Sequence, residues 1–232
     1  MTVLNVKADA QRVIAALKED KIAILPHDVS YGIWGHSVPT IERIYAVKGR
    51  ALTKTSGNIG SYELFKEVHQ VDQKAKDVVR CLLEEFNLPF TVVAPFRADH
   101  PFYSKVEKRS LELSTRDGTL ALLLNAGPLH DELARLSIEQ SFPIFGSSAN
   151  KSLGGSKFRL EDVEPEVRAV AGIEVDYGLC RYHNAINISS TIIDFVNWKV
   201  VRWGVCYEQI RDILQRFFKI DLGPIPERRT AA

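Results

Sequence analysis

Apolar positions along the chain fall into two rhythms, one of helical spacing and one of short unbroken or alternating runs. Between residues 8 and 19, Val13, Ile14 and Leu17 share one face of a predicted helix. KIAIL at 21–25 then reads as a buried strand, and PHDVSYGIWG as a turn leading into further extended chain. The stretch 39–47, PTIERIYAV, predicts a helix with Pro39 in its first turn, Ile41, Ile44 and Tyr45 on one stripe, and Gly49 where it would end. Two more helices are expected at 61–70, with Ser61 as N-cap, and at 72–86. PFTVVAPF at 89–96, TLALLL at 119–124 and PIFGSS at 143–148 predict strands, and 128–140 a helix between the last two. The segments 188–194 and 198–203 also read as strands, 207–218 as a last amphipathic helix, and 221–232 as a mobile tail.

Helices and strands alternate without a repeat or a low-complexity linker, which predicts a single α/β domain. The division expected is a main domain over 1–205 and a C-terminal helix with tail over 206–232. A chain of 232 residues with 45% hydrophobic and 25% charged residues has the length and composition for one sizeable core. Its formal net charge of +1 argues against coating nucleic acid or membrane through overall charge, while 30 Lys and Arg leave room for a local basic pocket. Cys81, Cys180 and Cys206 form no CxxC pair and no metal-ligand spacing with histidine. With no apolar signal segment at the N-terminus and no run near the roughly 18 apolar residues of a membrane span, reduced thiols and a cytoplasmic location are expected.

The common phosphate cradles GxxxxGK[ST] and GxGxxG are absent, as are HExxH and GxSxG. What remains are polar clusters at the ends of predicted elements. Lys48-Gly49-Arg50 sets a compact ammonium and a planar guanidinium either side of a residue that lets the backbone turn, so both heads could meet one anion. By itself the triplet reads more readily as a solvated helix end. FGSSANKSLGG at 145–155 places hydroxyls, an amide and free backbone groups at the carboxyl end of a strand, where ligands of α/β sheets commonly bind. SSTIID at 189–194 and VVRWG at 200–204 add Ser190 and a lone cation, Arg202, after an apolar run.

Taken in order, LPHDVSYGI, YAVKGRALTK, SSAN, SSTIID and VVRWG resemble the YrdC-like family of threonylcarbamoyl-adenylate synthases. The resemblance spans about residues 8–205. It implies a YrdC-like α/β domain, a twisted mixed sheet flanked by helices, with a basic concave pocket. It further implies an enzyme that combines threonine, bicarbonate and ATP into threonylcarbamoyl-adenylate and pyrophosphate, the product passing to a tRNA adenosine through a partner transferase. On that basis Lys48 and Arg50 are assigned to charge stabilisation, and Ser148, Asn150, Ser190 and Arg202 to the nucleotide. A magnesium ion is expected to bridge the phosphates, with no dedicated protein cage for any metal.

The departures from the family pattern lie on the amino-acid side. His27 and Val29 stand where two threonines are usual, Lys54-Thr55-Ser56 replaces KPL, Ile59 replaces a histidine, and Leu123 occupies the place of an arginine. The PG before the family's strand is missing too, since Asn87 and Leu88 precede Pro89. His27, Val29, Lys54 and Thr55 are therefore expected to set the acceptor, which need not be threonine. Two other functions stay open on the sequence: carbamoyl transfer from carbamoyl phosphate, and a non-catalytic pocket binding nucleotide or RNA directly.

Overall fold

The computed structural model describes residues 3–51 and 54–225 of the chain. Ten strands form one mixed sheet in the order β10-β9-β4-β6-β3-β7-β2-β1-β8, with β5 hydrogen-bonded to β6 off that path. The strands are β1 (Ile22–His27), β2 (Ser30–Gly35), β3 (Gly57–Ile59), β4 (Phe90–Pro95), β5 (Thr115–Arg116), β6 (Thr119–Leu124), β7 (Phe145–Ser148), β8 (Ala171–Glu174), β9 (Ile192–Asp194) and β10 (Lys199–Arg202). Three pairs, β1/β8, β3/β6 and β4/β9, run parallel; the other pairs run antiparallel.

Eight α-helices accompany the sheet among the described residues: α1 (Val6–Lys18), α2 (Val38–Lys48), α3 (Tyr62–Val68), α4 (Gln73–Arg80), α5 (Lys108–Ser114), α6 (Pro128–Glu139), α7 (Pro165–Arg168) and α8 (Tyr207–Phe218). Local chemistry sets their ends. Ser61 and Asp72 accept from the amides of Leu64 and Ala75, closing the first turns of α3 and α4. Gly49 ends α2 in the left-handed region at φ 57°, where a glycine pays no Cβ penalty. The helix expected over 72–86 is α4 followed by a single π turn, Cys81–Glu85, so the ladder changes register partway.

Strand alternation divides the core. Phe90, Val92 and Ala94 of β4 and Leu120, Leu122 and Leu124 of β6 face one side, where α3, α4, α5 and α8 cover them. Further along the same side, Tyr31 and Ile33 of β2 meet Ile44 of α2 and Val167 of α7. On the opposite side, α1 and α6 cover one end, through Val13, Leu17, Leu129 and Leu133 against Ala23 and Leu25 of β1 and Ile59 of β3. Side chains of β2, β7, β6, β4 and β9 on the rest of that face line the cavity described below.

α8 buries Ile210, Ile213 and Leu214 in the larger core, alongside Phe90 and Ile193. The first residues of the stretch expected to be mobile are held: the Tyr207 hydroxyl donates to the carbonyls of Leu222 and Gly223. From residue 226 onward that tail lies outside the described residues. No helix among the described residues is long and apolar enough to cross a membrane.

Candidate active site

The side chains opposite the core-facing ones line a cavity of about 580 Å³. Ser30, Gly32 and Trp34 come from β2, Gly146 and Ser148 from β7, Thr119, Ala121 and Leu123 from β6, Thr91 and Val93 from β4, and Ile192 and Asp194 from β9. Register links these strands into rows. Trp34 pairs with Gly146, Gly146 with Gly57, Ala121 with Val93, and Val93 with Asp194. The middle of the row thus carries two glycines and an alanine, a floor that is nearly bare main chain.

One wall is the segment after α2. Lys48 ends that helix and is 3% exposed, with its Nζ donating to the main-chain carbonyls of Ser148 and Asn150. Burial, and then the neighbouring Arg50 cation, bring its ammonium down to about 7, while Glu164 pulls the other way. The Arg50 guanidinium lies 5.5 Å from the centre of the Tyr45 ring and donates through Nη2 to the Thr55 carbonyl at 2.6 Å. Tyr45 in turn donates to the carbonyls of Lys54 and Leu113, at 2.5 and 2.8 Å. The wall is therefore fastened to α2 and to the end of α5.

The opposite wall is the 189–191 segment. Arg202 reaches back from β10 and donates through Nε and Nη2 to the Ser190 carbonyl at 3.0 and 2.8 Å, and through Nη2 to Ser190 Oγ at 3.0 Å. Burial, then Arg50, lowers the guanidinium to about 10, which leaves it charged at neutral pH. Thr91 Oγ1 and Ser190 Oγ lie 2.9 Å apart, as do Ser30 Oγ and Ser189 Oγ, so hydroxyls run along this wall in pairs. Gly204 permits the close crossing: a Cβ there would sit 2.3 Å from Ser189 O, Ser190 C and Thr191 N.

The far end of the cavity is different in kind. His27 is 4% exposed and Trp34 is 3% exposed, and their rings meet edge to face with centroids 5.1 Å apart. Gly32 makes room for this, since a Cβ on it would lie 2.3 Å from Trp34 Nε1 and 3.1 Å from His27 Cδ2. Behind them His130, fully buried, joins its ring nitrogens to the Leu123 carbonyl and the Ala126 amide. Burial, reinforced by His130, lowers the His27 pKa well below the usual histidine range. Val29 and Leu123 complete this end with apolar surface.

Residues 15–204 match the Sua5/YciO/YrdC family profile, whose description is telomere recombination. The chain belongs to this family. Among solved structures, Pyrococcus abyssi Sua5 complexed with L-threonine superposes with a TM-score of 0.72 at 20% identity, over 94% of this chain and 60% of that one. E. coli YciO gives 0.60 at 16% identity, covering 86% and 90% of the two chains. Full-length HypF in its phosphate- and nucleotide-bound form gives 0.58 at 19% identity, over 84% of this chain and 23% of that one. At these identities the likeness shows the fold, and this chain spans only about 60% of the length of P. abyssi Sua5. No curated protein matches the sequence.

In this Sua5/YciO/YrdC domain the motif residues mostly meet. His27, Val29, Arg50, Lys54, Thr55, Ser148, Ser190 and Arg202 all line the cavity. Lys48 and Asn150 do not; they stand behind the Ser148 wall, where Asn150 donates to the Lys151 carbonyl at 2.6 Å and leaves Oδ1 without a partner. A buried lysine needs acceptors, and the carbonyls that end β7 supply them. The sequence reading passed over Ser30, Trp34, Thr91, Arg116, Ser189 and Asp194 as cavity residues. Period-2 spacing from Gly32 and from Ser190 would have found Trp34 and Asp194, the latter also the last residue of SSTIID. Among the described residues no group of three or more His, Cys, Asp or Glu is placed to hold a metal ion.

Proposed function

We propose that this protein is an ATP-dependent enzyme that forms a carbamoyl-type adenylate from bicarbonate and an amino acid, as a nucleotidyltransferase of the threonylcarbamoyl-adenylate synthase kind. The observation that carries the reading is the cavity on the free face of the sheet, in a domain of this family, with Arg50, Lys54, Arg116 and Arg202 around its charged part. The amine condenses with bicarbonate to a carbamate with loss of water. A carbamate oxygen then attacks the α-phosphorus of ATP, and pyrophosphate leaves with the electron pair of the broken P–O bond.

No covalent protein nucleophile is needed; the chain contributes position and fixed positive charge. Arg202 and the paired hydroxyls of Thr91 and Ser190 are suited to the nucleotide, and Arg50 and Lys54 to the carboxylate and phosphate oxygens. Lys48 supports Ser148 from behind and keeps the mouth of the cavity in shape. Magnesium would arrive on the triphosphate and neutralise its charge; such an ion needs one or two protein carboxylates at most. That fits a cavity whose lining carboxylates among the described residues are Asp117 and Asp194, the latter already capping the turn at Val196 and Asn197.

The P. abyssi Sua5 complex with L-threonine makes threonine the first acceptor to try, and the resemblance of the motifs to threonylcarbamoyl-adenylate synthases makes tRNA modification the first pathway. The test is pyrophosphate release with ATP, magnesium and bicarbonate, against each amino acid in turn and against none. Release that requires one amino acid is expected; absence of release with every one overturns the proposal. Release that requires carbamoyl phosphate in place of bicarbonate would favour carbamoyl transfer, a reading that the shared fold with HypF keeps in view.

A further inference from the structure

We infer that Val201 is a further ligand-contacting residue of this site: its side chain, with those of Ile192 and Val93, forms an aliphatic shelf on which the flat face of a nucleotide base lies. The inference rests on the adenylate-forming reading of the same cavity and adds where the base goes.

β10 is the terminal strand of the sheet, and its ladder with β9 skips a residue. Val200 pairs with Ile193 and Arg202 with Ile192, so Val201 is the extra residue of a bulge. Regular alternation sets successive side chains on opposite faces and would give this edge of the cavity only one of the two. With the bulge, both Val201 and Arg202 line it. In a strand one residue shorter Arg202 would still stand opposite Ile192, so what the insertion adds is the Val201 side chain itself. That side chain is 57% exposed. A lone exposed valine is ordinary on a protein surface, but this one is set on a cavity wall by an inserted residue.

The position suits a base. Thr91 pairs with Ile192 and Ile192 with Arg202, so the shelf adjoins the hydroxyl and the guanidinium that suit phosphate. Val93 lies two residues beyond Thr91 on the same face of β4, and both it and Ile192 are half-buried in the cavity lining. The other apolar end of the cavity is closed, since Val29, Trp34 and Leu123 are 2%, 3% and 8% exposed. That leaves the open rim at Val201 for the bulkier end of a nucleotide whose phosphates are held at Arg202. A base has apolar faces and polar edges. Laid on aliphatic side chains it buries a face and keeps its edges in water, so no polar group loses its partner.

The test is calorimetric binding at pH 7.5 with magnesium, without amino acid or bicarbonate, of ATP and of inorganic tripolyphosphate, the latter also run as a competitor of ATP. Two variants are compared with wild type: Val201→Ser, which keeps the bulge, and deletion of Val201, which removes it and leaves Arg202 opposite Ile192. Each should weaken ATP about three-fold or more and leave tripolyphosphate within about two-fold. Near-ultraviolet circular dichroism confirms the fold, and Val201→Ser carries the test if the deletion does not fold. An ATP affinity unmoved in a folded variant is what a bulge that only blunts a free edge would give, and it would overturn the inference. So would an equal loss for both ligands, tripolyphosphate that fails to displace ATP, or a wild type that binds no ATP. Because the measurement needs no turnover, a loss confined to ATP without pyrophosphate release by wild type would sink the adenylate reading and leave this one standing. Release by wild type with unmoved ATP affinity in the variants would do the reverse.

Discussion

The ammonium of Lys48 donates to the main-chain carbonyl of Ser148, so the last turn of α2 is tied to the end of β7 beneath the cavity wall. Holding the charged form there is unfavourable, and the folded pKa falls from 10.5 to about 7. Between those values the unfolded chain binds more protons than the folded one, so stability attributable to this group rises with pH. Wild type should gain on Lys48→Met by roughly 1 kcal/mol per pH unit between pH 7 and 10. Urea unfolding of both proteins at pH 7.5 and 9.5 checks this; a constant difference would mean the lysine is not carrying a buried charge.

Arg202→Lys keeps the charge and loses the fork that holds the carbonyl and hydroxyl of Ser190 together. Nucleotide affinity, read by fluorescence titration, is expected to fall about ten-fold or more. An unchanged affinity would remove Arg202 from the nucleotide wall.

Gly204→Ala introduces a Cβ 2.3 Å from three main-chain atoms of the 189–191 segment. The segments must separate, which should cost about 2 kcal/mol or more and also loosen Ser190. Thermal denaturation reads the stability, and a shift too small to detect would show that the crossing relaxes freely.

His69 is buried on the helix-covered side, with Nε2 3.2 Å from the Leu120 carbonyl, and burial lowers its pKa to about 4. The unfolded chain takes its proton near 6.5, so the stability this group contributes is complete above that pH and is lost as pH falls toward 4. His27 shifts the same way and adds to the loss. His69→Gln should make unfolding free energy fall less steeply between pH 6.5 and 4.5, by up to about 1.4 kcal/mol per pH unit. Equal slopes in the two proteins would count against the assignment.

The long periodic segments and the motif order were legible because each depends on local chemistry: the stripe of Ile41, Ile44 and Tyr45, the αL cap at Gly49, the apolar alternation of β4 and β6. Five elements were not, β5 and α7 among them. β3, β8 and α5 are short and carry mixed polarity; β3 is a strand because β6 and β7 present edges on both sides, a cause that lies far away in sequence. The same limit applies within the site. Lys48 and Arg50 are two residues apart, yet only Arg50 lines the cavity, because the carbonyls that draw Lys48 inward belong to residues 148 and 150. His27 and Trp34 stand out only once Gly32 is seen between them, as the gap into which both rings fold.

The bare floor of the cavity has a consequence for how such a domain changes its chemistry. A side chain at Gly146 would collide with the Ile33 carbonyl at 2.1 Å, whereas one at Gly57 would meet nothing nearer than 3.8 Å and would simply project into the ligand space. One position is barred by the fold and the other by occupancy of the site alone. Recognition is thereby left to the rim, to side chains such as Val29 and Lys54. A lineage can exchange those residues one at a time and acquire a new acceptor while the sheet beneath stays as it was.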